Sequence, residues 1–332
     1  MGMVLAACLL ALLLRQVDLR QLGMALLEVH VGFLAIGLAI QLAVMWIKSV
    51  RWGITIRGAT GRPVRQAFSA SMIGFAGNVL LPARLGELIR VGVIDKHNQI
   101  GWSLALTTVG LTQLFDLLVL VSYFLVVSIW ATSLFMAHRW TMIFLGGMVL
   151  LMLGILVVLQ QRSQPLHAWL LRIRPRLPNV LERRISRYAE LFVKGLGVLS
   201  KSHMVSQIFL LTIVAWGLET IAAYLMLLAF HISATLLMAS ILIVVLNLSF
   251  AFPITPGNVG ITQAVSVFLL SAFGVTKVSA LAYSIGSQGT TYLLIVSLGM
   301  ICFHREGMDL SLFRRAAREG APGKPTPAVE IQ

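Results

Sequence analysis

Stretches of apolar sequence long enough to cross about 30 Å of hydrocarbon recur along this chain, and they leave little else for it to become. The strong ones run at about 31–49, 101–130, 141–160, 205–230 and 278–303. Only 11% of the 332 residues are charged, against about a quarter in a soluble domain. Such sequence spans a bilayer as helices, whose backbone groups are satisfied internally. The expected fold is therefore all-α and polytopic, a membrane domain over 1–303 followed by a cytoplasmic tail over 304–332. The tail is rich in Pro, Ala and Gly from Gly320 and is expected to be largely disordered. The first apolar stretch, about 1–17, lacks a basic start and a small-residue cleavage site, so it reads as an anchor.

Charge placement predicts the orientation. Of 26 Lys and Arg residues, 22 fall in four segments: 48–66, 84–100, 161–203 and the tail after 303. The other four, Arg15, Arg20, Arg139 and Lys277, fall in the alternate loops. This positive-inside pattern places both termini in the cytoplasm. It also accounts for the net charge of +14 without nucleic acid. Histidines are scattered and the two cysteines lie in apolar sequence near opposite ends, so neither a metal site nor a disulfide framework is expected. No cofactor is implied.

With that orientation, 67–94 begins and ends on the cytoplasmic side and 235–274 on the outer side. Each is a hairpin or a pair of spans, and both are broken by Pro and Gly. The first contains Pro82-x-x-x-Gly86 and the second Pro256-x-x-x-Gly260. Matching breaks in oppositely inserted hairpins point to an inverted repeat with a site near the midplane. Proline is favoured at the first position of a helix, so a helix is expected to start just after each of Pro82 and Pro256, with Thr255 capping the second. Free N–H groups there would receive an anion, and Gly257 and Asn258 would leave that backbone open. Arg84, Glu87 and Arg90, three apart, would form one ladder on a helix. Arg84 is the candidate to grip a phosphate, and Glu87 could hold it in place or exchange protons. A structural ion network at the hairpin mouth is the competing reading.

Further polar residues stand inside the spans. Asp116 and Glu219 are candidates for a proton or polar relay, or partners for Arg84, Arg51 or backbone. Gln113 could share a face with Asp116. Asn247 reads as a lining residue or a packing contact, packing carrying more weight. Within 161–203, Asn179 can cap a helix carrying Leu181, Ile185, Tyr188, Phe192, Leu196 and Leu199 at three- to four-residue spacing. With Arg183, Arg184 and Arg187 on other faces, that helix suits an anionic inner leaflet. Packing on other cytoplasmic loops is the alternative.

The string Asn78-x-x-x-Pro82-x-Arg84-x-Gly86-Glu87-x-x-Arg90, followed by Pro253-x-x-Pro256-Gly257-x-x-Gly260, resembles the lysylphosphatidylglycerol synthase transmembrane, or flippase-like, family. Arg51-Trp52 and Asp116 extend the likeness, which covers about 30–303. Members are bacterial and archaeal membrane proteins whose membrane part is thought to move lipid between leaflets. The resemblance implies a lipid substrate, and the reading of the two broken hairpins places it at Asn78, Pro82, Arg84, Gly86, Glu87, Arg90, Thr255, Pro256, Gly257, Asn258 and Gly260. Two departures stand out. Thr112-Gln113 replace an expected Glu-Arg, and Gln263, a third relay candidate, replaces an expected acid. Both weaken a proton-coupling role at those positions and favour a different substrate. The residues after 303 are too few for the family's aminoacyl-transfer domain, so synthase activity is not carried over. The expected function is a lipid translocator for an amphiphile with an anionic headgroup. An intramembrane enzyme on a lipid phosphate or polyprenyl-linked sugar, or an accessory subunit, are the alternatives. With no phosphate-cradling Gly-rich loop ending in Lys-Ser/Thr, ATP-driven transport by this chain alone is not expected.

Overall fold

The computed structural model describes residues 2–15, 17–82, 84–130, 147–148, 150–154, 194–250 and 255–308. Its long regular elements are helices: α1 (Gly2–Leu14), α2 (Leu19–Leu27), α3 (Val31–Thr60), α4 (Ala67–Leu80), α5 (Gly86–Asn98), α6 (Trp102–Trp130), α7 (Ser202–Ala229), α8 (Leu236–Ser249), α9 (Ile261–Ala272) and α10 (Lys277–Arg305). Among the described residues, α3, α6, α7 and α10 are long and apolar enough to cross a membrane. Most of the expected span at 141–160 lies outside the described residues, as do the tail beyond 308 and the greater part of 161–203.

One expectation about the spans is corrected. Helix α3 does not end near 49 but runs to Thr60. It stops at Gly61, whose φ of 76° lets its N–H reach back to the Arg57 carbonyl at 2.8 Å. Lys48, Arg51 and Arg57 therefore sit on a helix rather than in a loop. At the N-terminus, helix α1 covers the first apolar stretch and ends at Leu14. Asp18 then starts α2 by accepting a hydrogen bond from the Arg20 N–H at 2.8 Å.

Inside a bilayer, helices gain little by hiding apolar surface from one another, and association rests on close packing of small residues. Helix α3 packs along α7, where Gly37 lies against Met226 and the Ala222 carbonyl. Helix α10 packs along α4, where Gly299 meets Ala76 and the Met72 backbone. Around the first hairpin, Trp52, Ile73, Val91 and Ile94 form one buried cluster. Around the second, Leu227, Leu242, Leu270 and Leu281 form another.

Helices α4 and α5 run antiparallel, with Gly74 opposite Arg90 and Gly77 opposite Gly86. Helix α4 stops before Pro82, which cannot continue it. The second break comes after α8. Pro256–Asn258 forms a single 3-10 turn and α9 begins at Ile261. The C-terminal end of the 161–203 segment docks on the protein. Leu196 and Leu199, assigned above to a membrane-facing stripe, are buried with Leu111, Phe115 and Ile208. The rest of that stripe lies outside the described residues.

Candidate functional site

The two breaks lie against each other. Arg84 Nη2 donates to the carbonyl of Phe250, just past the end of α8, at 2.8 Å. Gly257, at φ 55°, brings the second break so close to α4 that a Cβ there would sit 3.1 Å from the Val79 carbonyl oxygen. Beside this junction is a cavity of about 630 Å³, walled by α3, α4, α5, α6, α7, α8, α10 and the second break. Four cations line it, Lys48, Arg51, Arg84 and Arg90, with two acids, Glu87 and Asp116.

Three of the four cations are paired. Arg51, only 3% exposed, forks Asp116 through Nη1 and Nη2 at 2.6 and 2.7 Å. Its Nη1 also donates to Thr212 Oγ1 at 2.9 Å. A planar guanidinium makes this bidentate contact and an ammonium does not. Lys48, one helical turn earlier on the same face of α3, donates to Glu219 Oε2 at 2.8 Å and lies over the Trp216 ring at 5.4 Å. Arg90 pairs with Glu87 one turn away on α5 and stacks 4.7 Å from the Trp52 ring centre. Glu87 also accepts from Asn78 Nδ2 at 3.0 Å.

Arg84 is different. Its partner is the Phe250 carbonyl, and among the described residues no carboxylate pairs with it. The expected ladder of Arg84, Glu87 and Arg90 is thus corrected. Arg84 sits at φ 54°, outside α5, which begins at Gly86. A left-handed conformation at a non-glycine residue costs on the order of 1 kcal/mol. Here it turns the side chain away from Glu87, leaving that acid to Arg90 and Asn78.

The expected anion-receiving backbone is also corrected. Neither helix starts directly after its proline, because the intervening residues wind into turns that use their own N–H groups. Asn258 N–H donates to the Thr255 carbonyl at 3.1 Å and Val259 N–H to the Pro256 carbonyl at 3.3 Å. Gly260 N–H donates to Gln263 Oε1 at 2.7 Å. Thr255 does not cap with its side chain but donates its hydroxyl to the Val259 carbonyl at 2.9 Å. These three N–H groups are therefore engaged within the second break itself.

The predicted residues divide accordingly. Asn78, Arg84, Glu87, Arg90, Asp116, Thr255, Gly257 and Asn258 line the cavity, and Glu219 stands behind Lys48. Pro82 is exposed, Gly86 is packed against α4, and Gly260 lies against Ala6 and Leu9 of α1. Pro256 opens the 3-10 turn. Gln263, buried, caps α9 and joins Gln288 at 2.6 Å. Gln288 and Tyr292 both donate to the Gly257 carbonyl, pinning the second break to α10. Sequence reading missed the roles of Lys48, Gln41, Trp216, Gln288 and Tyr292. Lys48 and Gln41 carried a signal, since polar residues seven apart in an apolar run share a helix face. Tyr292 carried none. Among the described residues, no group of three His, Cys, Asp or Glu could hold a metal ion.

Apolar helices of spanning length around a walled, charged cavity define a polytopic helical membrane protein. The chain belongs to the family of the lysylphosphatidylglycerol synthase TM region, which matches residues 1–299. Two proteins of Methanothermobacter thermautotrophicus, each called a UPF0104 membrane protein, are 26% and 21% identical to it over 298 and 295 residues. Those alignments cover 83% and 84% of this chain and 85% and 87% of the relatives. A UPF0104 membrane protein of Methanocaldococcus jannaschii is 22% identical over 234 residues, 68% of this chain and 92% of the relative. No solved structure matches the chain.

Proposed function

We propose that this protein moves an amphiphile with an anionic headgroup between the leaflets of a bacterial or archaeal cytoplasmic membrane. The observation that carries the reading is Arg84. It lines the cavity where the two hairpin breaks meet, and its partner is a carbonyl rather than a carboxylate. A charge inside a bilayer costs about 2.5–3.5 kcal/mol even on permissive scales, and an anionic partner offsets that. A lipid phosphate is the anion most available there, and guanidinium binds it bidentately. Lining acids Glu87 and Asp116 are engaged by Arg90 and Arg51, which favours translocation over acid–base catalysis. The cavity itself favours translocation over a solid accessory subunit.

The hairpins fit partial-depth insertion. Helices α4, α5, α8 and α9 have 12 to 14 residues, about 18–21 Å at 1.5 Å per residue, against about 30 Å of hydrocarbon. Matching conformations support an inverted repeat. Two residues after each proline, Arg84 and Asn258 both have φ 54°. Four residues after each, glycine stands at the start of a helix. The breaks then meet near the midplane.

The cytoplasmic termini remain part of this reading. Since Lys48, Arg51, Arg84 and Arg90 line the cavity rather than loops, the charge count becomes 18 against 4, with the asymmetry unchanged in sense. In a Cys8→Ser, Cys302→Ser background, Lys324→Cys should resist an impermeant maleimide in intact cells and react after permeabilisation. Reaction in intact cells would reverse the orientation. Transport is tested with purified protein in vesicles containing a fluorescent phosphatidylglycerol. Leaflet exchange should exceed that of protein-free vesicles, and equal rates would overturn the proposal.

A further inference from the structure

We infer that the headgroup is a phosphodiester carrying a neutral, hydroxyl-rich group, and that lipids with an amine headgroup are excluded. The inference rests on the proposal that the cavity takes an anionic amphiphile, and it names the class of that amphiphile.

An ammonium taken from water into the cavity needs a carboxylate, because an unpaired buried charge costs several kcal/mol. The cavity wall has none to offer. Asp116 is forked by Arg51 and Glu87 is held by Arg90 and Asn78. Taking either acid would strand a guanidinium that is only 3% or 5% exposed. Glu219 is paired with Lys48 and lies off the wall. Counting these acids and the four cations, the site retains one net positive charge, matching one phosphodiester.

The remaining polar lining is neutral. Gln41, Asn78, Gln113, Asn247, Asn258 and Tyr292 surround the same space. A carboxamide both donates and accepts, as a hydroxyl does, so a ring of amides suits a polyol. Gln41 and Gln113 make no side-chain hydrogen bond with another described residue, and Asn258 Oδ1 is buried without a partner. At about 630 Å³ the cavity falls within the range of small-molecule sites, so it has room for a headgroup beyond the phosphate.

The test is leaflet exchange in vesicles containing the purified protein, with four labelled lipids run separately. Phosphatidylglycerol and phosphatidylinositol should exchange at least about tenfold faster than phosphatidylethanolamine and lysylphosphatidylglycerol. Gln113→Leu should at least halve the advantage of phosphatidylinositol over phosphatidylethanolamine. Amine lipids exchanging as fast as the polyol lipids would overturn the inference and leave translocation standing. No lipid exchanging above protein-free vesicles would overturn the translocator reading and this inference with it. A fifth arm measures efflux of entrapped glycerol phosphate, the same chemistry from a soluble source. Efflux without lipid exchange would overturn the lipid assignment.

Discussion

Replacing Gly86 with alanine is expected to remove most of the folded protein from the membrane. A Cβ at this position would lie 1.9 Å from the Gly74 carbonyl oxygen and 2.5 Å from the Asn78 backbone nitrogen. Both are backbone atoms of α4, so no rotamer change relieves the clash. Overpacking a core typically costs about 1–3 kcal/mol, occasionally more, and an immovable neighbour places this case at or above the upper end. The first hairpin would be forced apart, moving Arg84, Glu87 and Arg90 relative to α3. Gly110→Ala is the control, because no heavy atom lies within 4 Å of its Cβ position and alanine is the better helix former. Detergent-extracted Gly86→Ala should melt at least about 5 °C below Gly110→Ala, with a corresponding loss of monodisperse material. Equal melting of the two variants would mean that α4 and α5 do not cross this closely.

A second large effect is expected at Asp116. Removing one partner of a buried ion pair costs about 3–5 kcal/mol because the other charge is stranded. Asp116→Leu leaves Arg51, 3% exposed, with Thr212 alone. Replacing both members with apolar groups of similar volume is often neutral or stabilising. Asp116→Leu should therefore fall sharply in abundance and melting temperature, and Arg51→Met/Asp116→Leu should recover more than half of the loss. The doubly substituted protein, folded but missing one cavity cation, then separates the structural role of the pair from any role in transport. If the double variant is no more stable than Asp116→Leu, the pair is not what holds α3 to α6 at this point.

Both effects arise where small or charged residues stand among apolar ones, and the same positions mark what was legible in the sequence. The four long spans followed from run length alone, since nothing but a helix hides 20 residues of backbone in hydrocarbon. The breaks between α4 and α5 and between α8 and α9 followed from Pro82 and Pro256, which interrupt a helix. The far end of α3 did not. Lys48, Arg51 and Arg57 look like the basic flank of a span, and only the fold shows that Lys48 and Arg51 face a cavity instead. Rules for proline at helix starts placed the two N-termini three or four residues too early, because the chain first spends its N–H groups on tight turns. Spacing placed Arg84 and Arg90 symmetrically about Glu87. The positive φ of Arg84 breaks that symmetry, and no pattern of apolar and polar residues encodes it. Asp116 and Glu219 were recognisable as acids needing partners, but which cation each takes depends on how α3, α6 and α7 meet.

Arg84 carries the central claim, and leaflet exchange of labelled phosphatidylglycerol tests it most directly when wild type, Arg84→Lys and Arg84→Ala are reconstituted at equal protein content. Arg84→Ala should slow exchange at least about tenfold toward the protein-free rate. Arg84→Lys, which keeps the charge but loses the planar fork, should fall between the two. Arg84→Ala present at normal abundance and exchanging lipid at the wild-type rate would contradict the account.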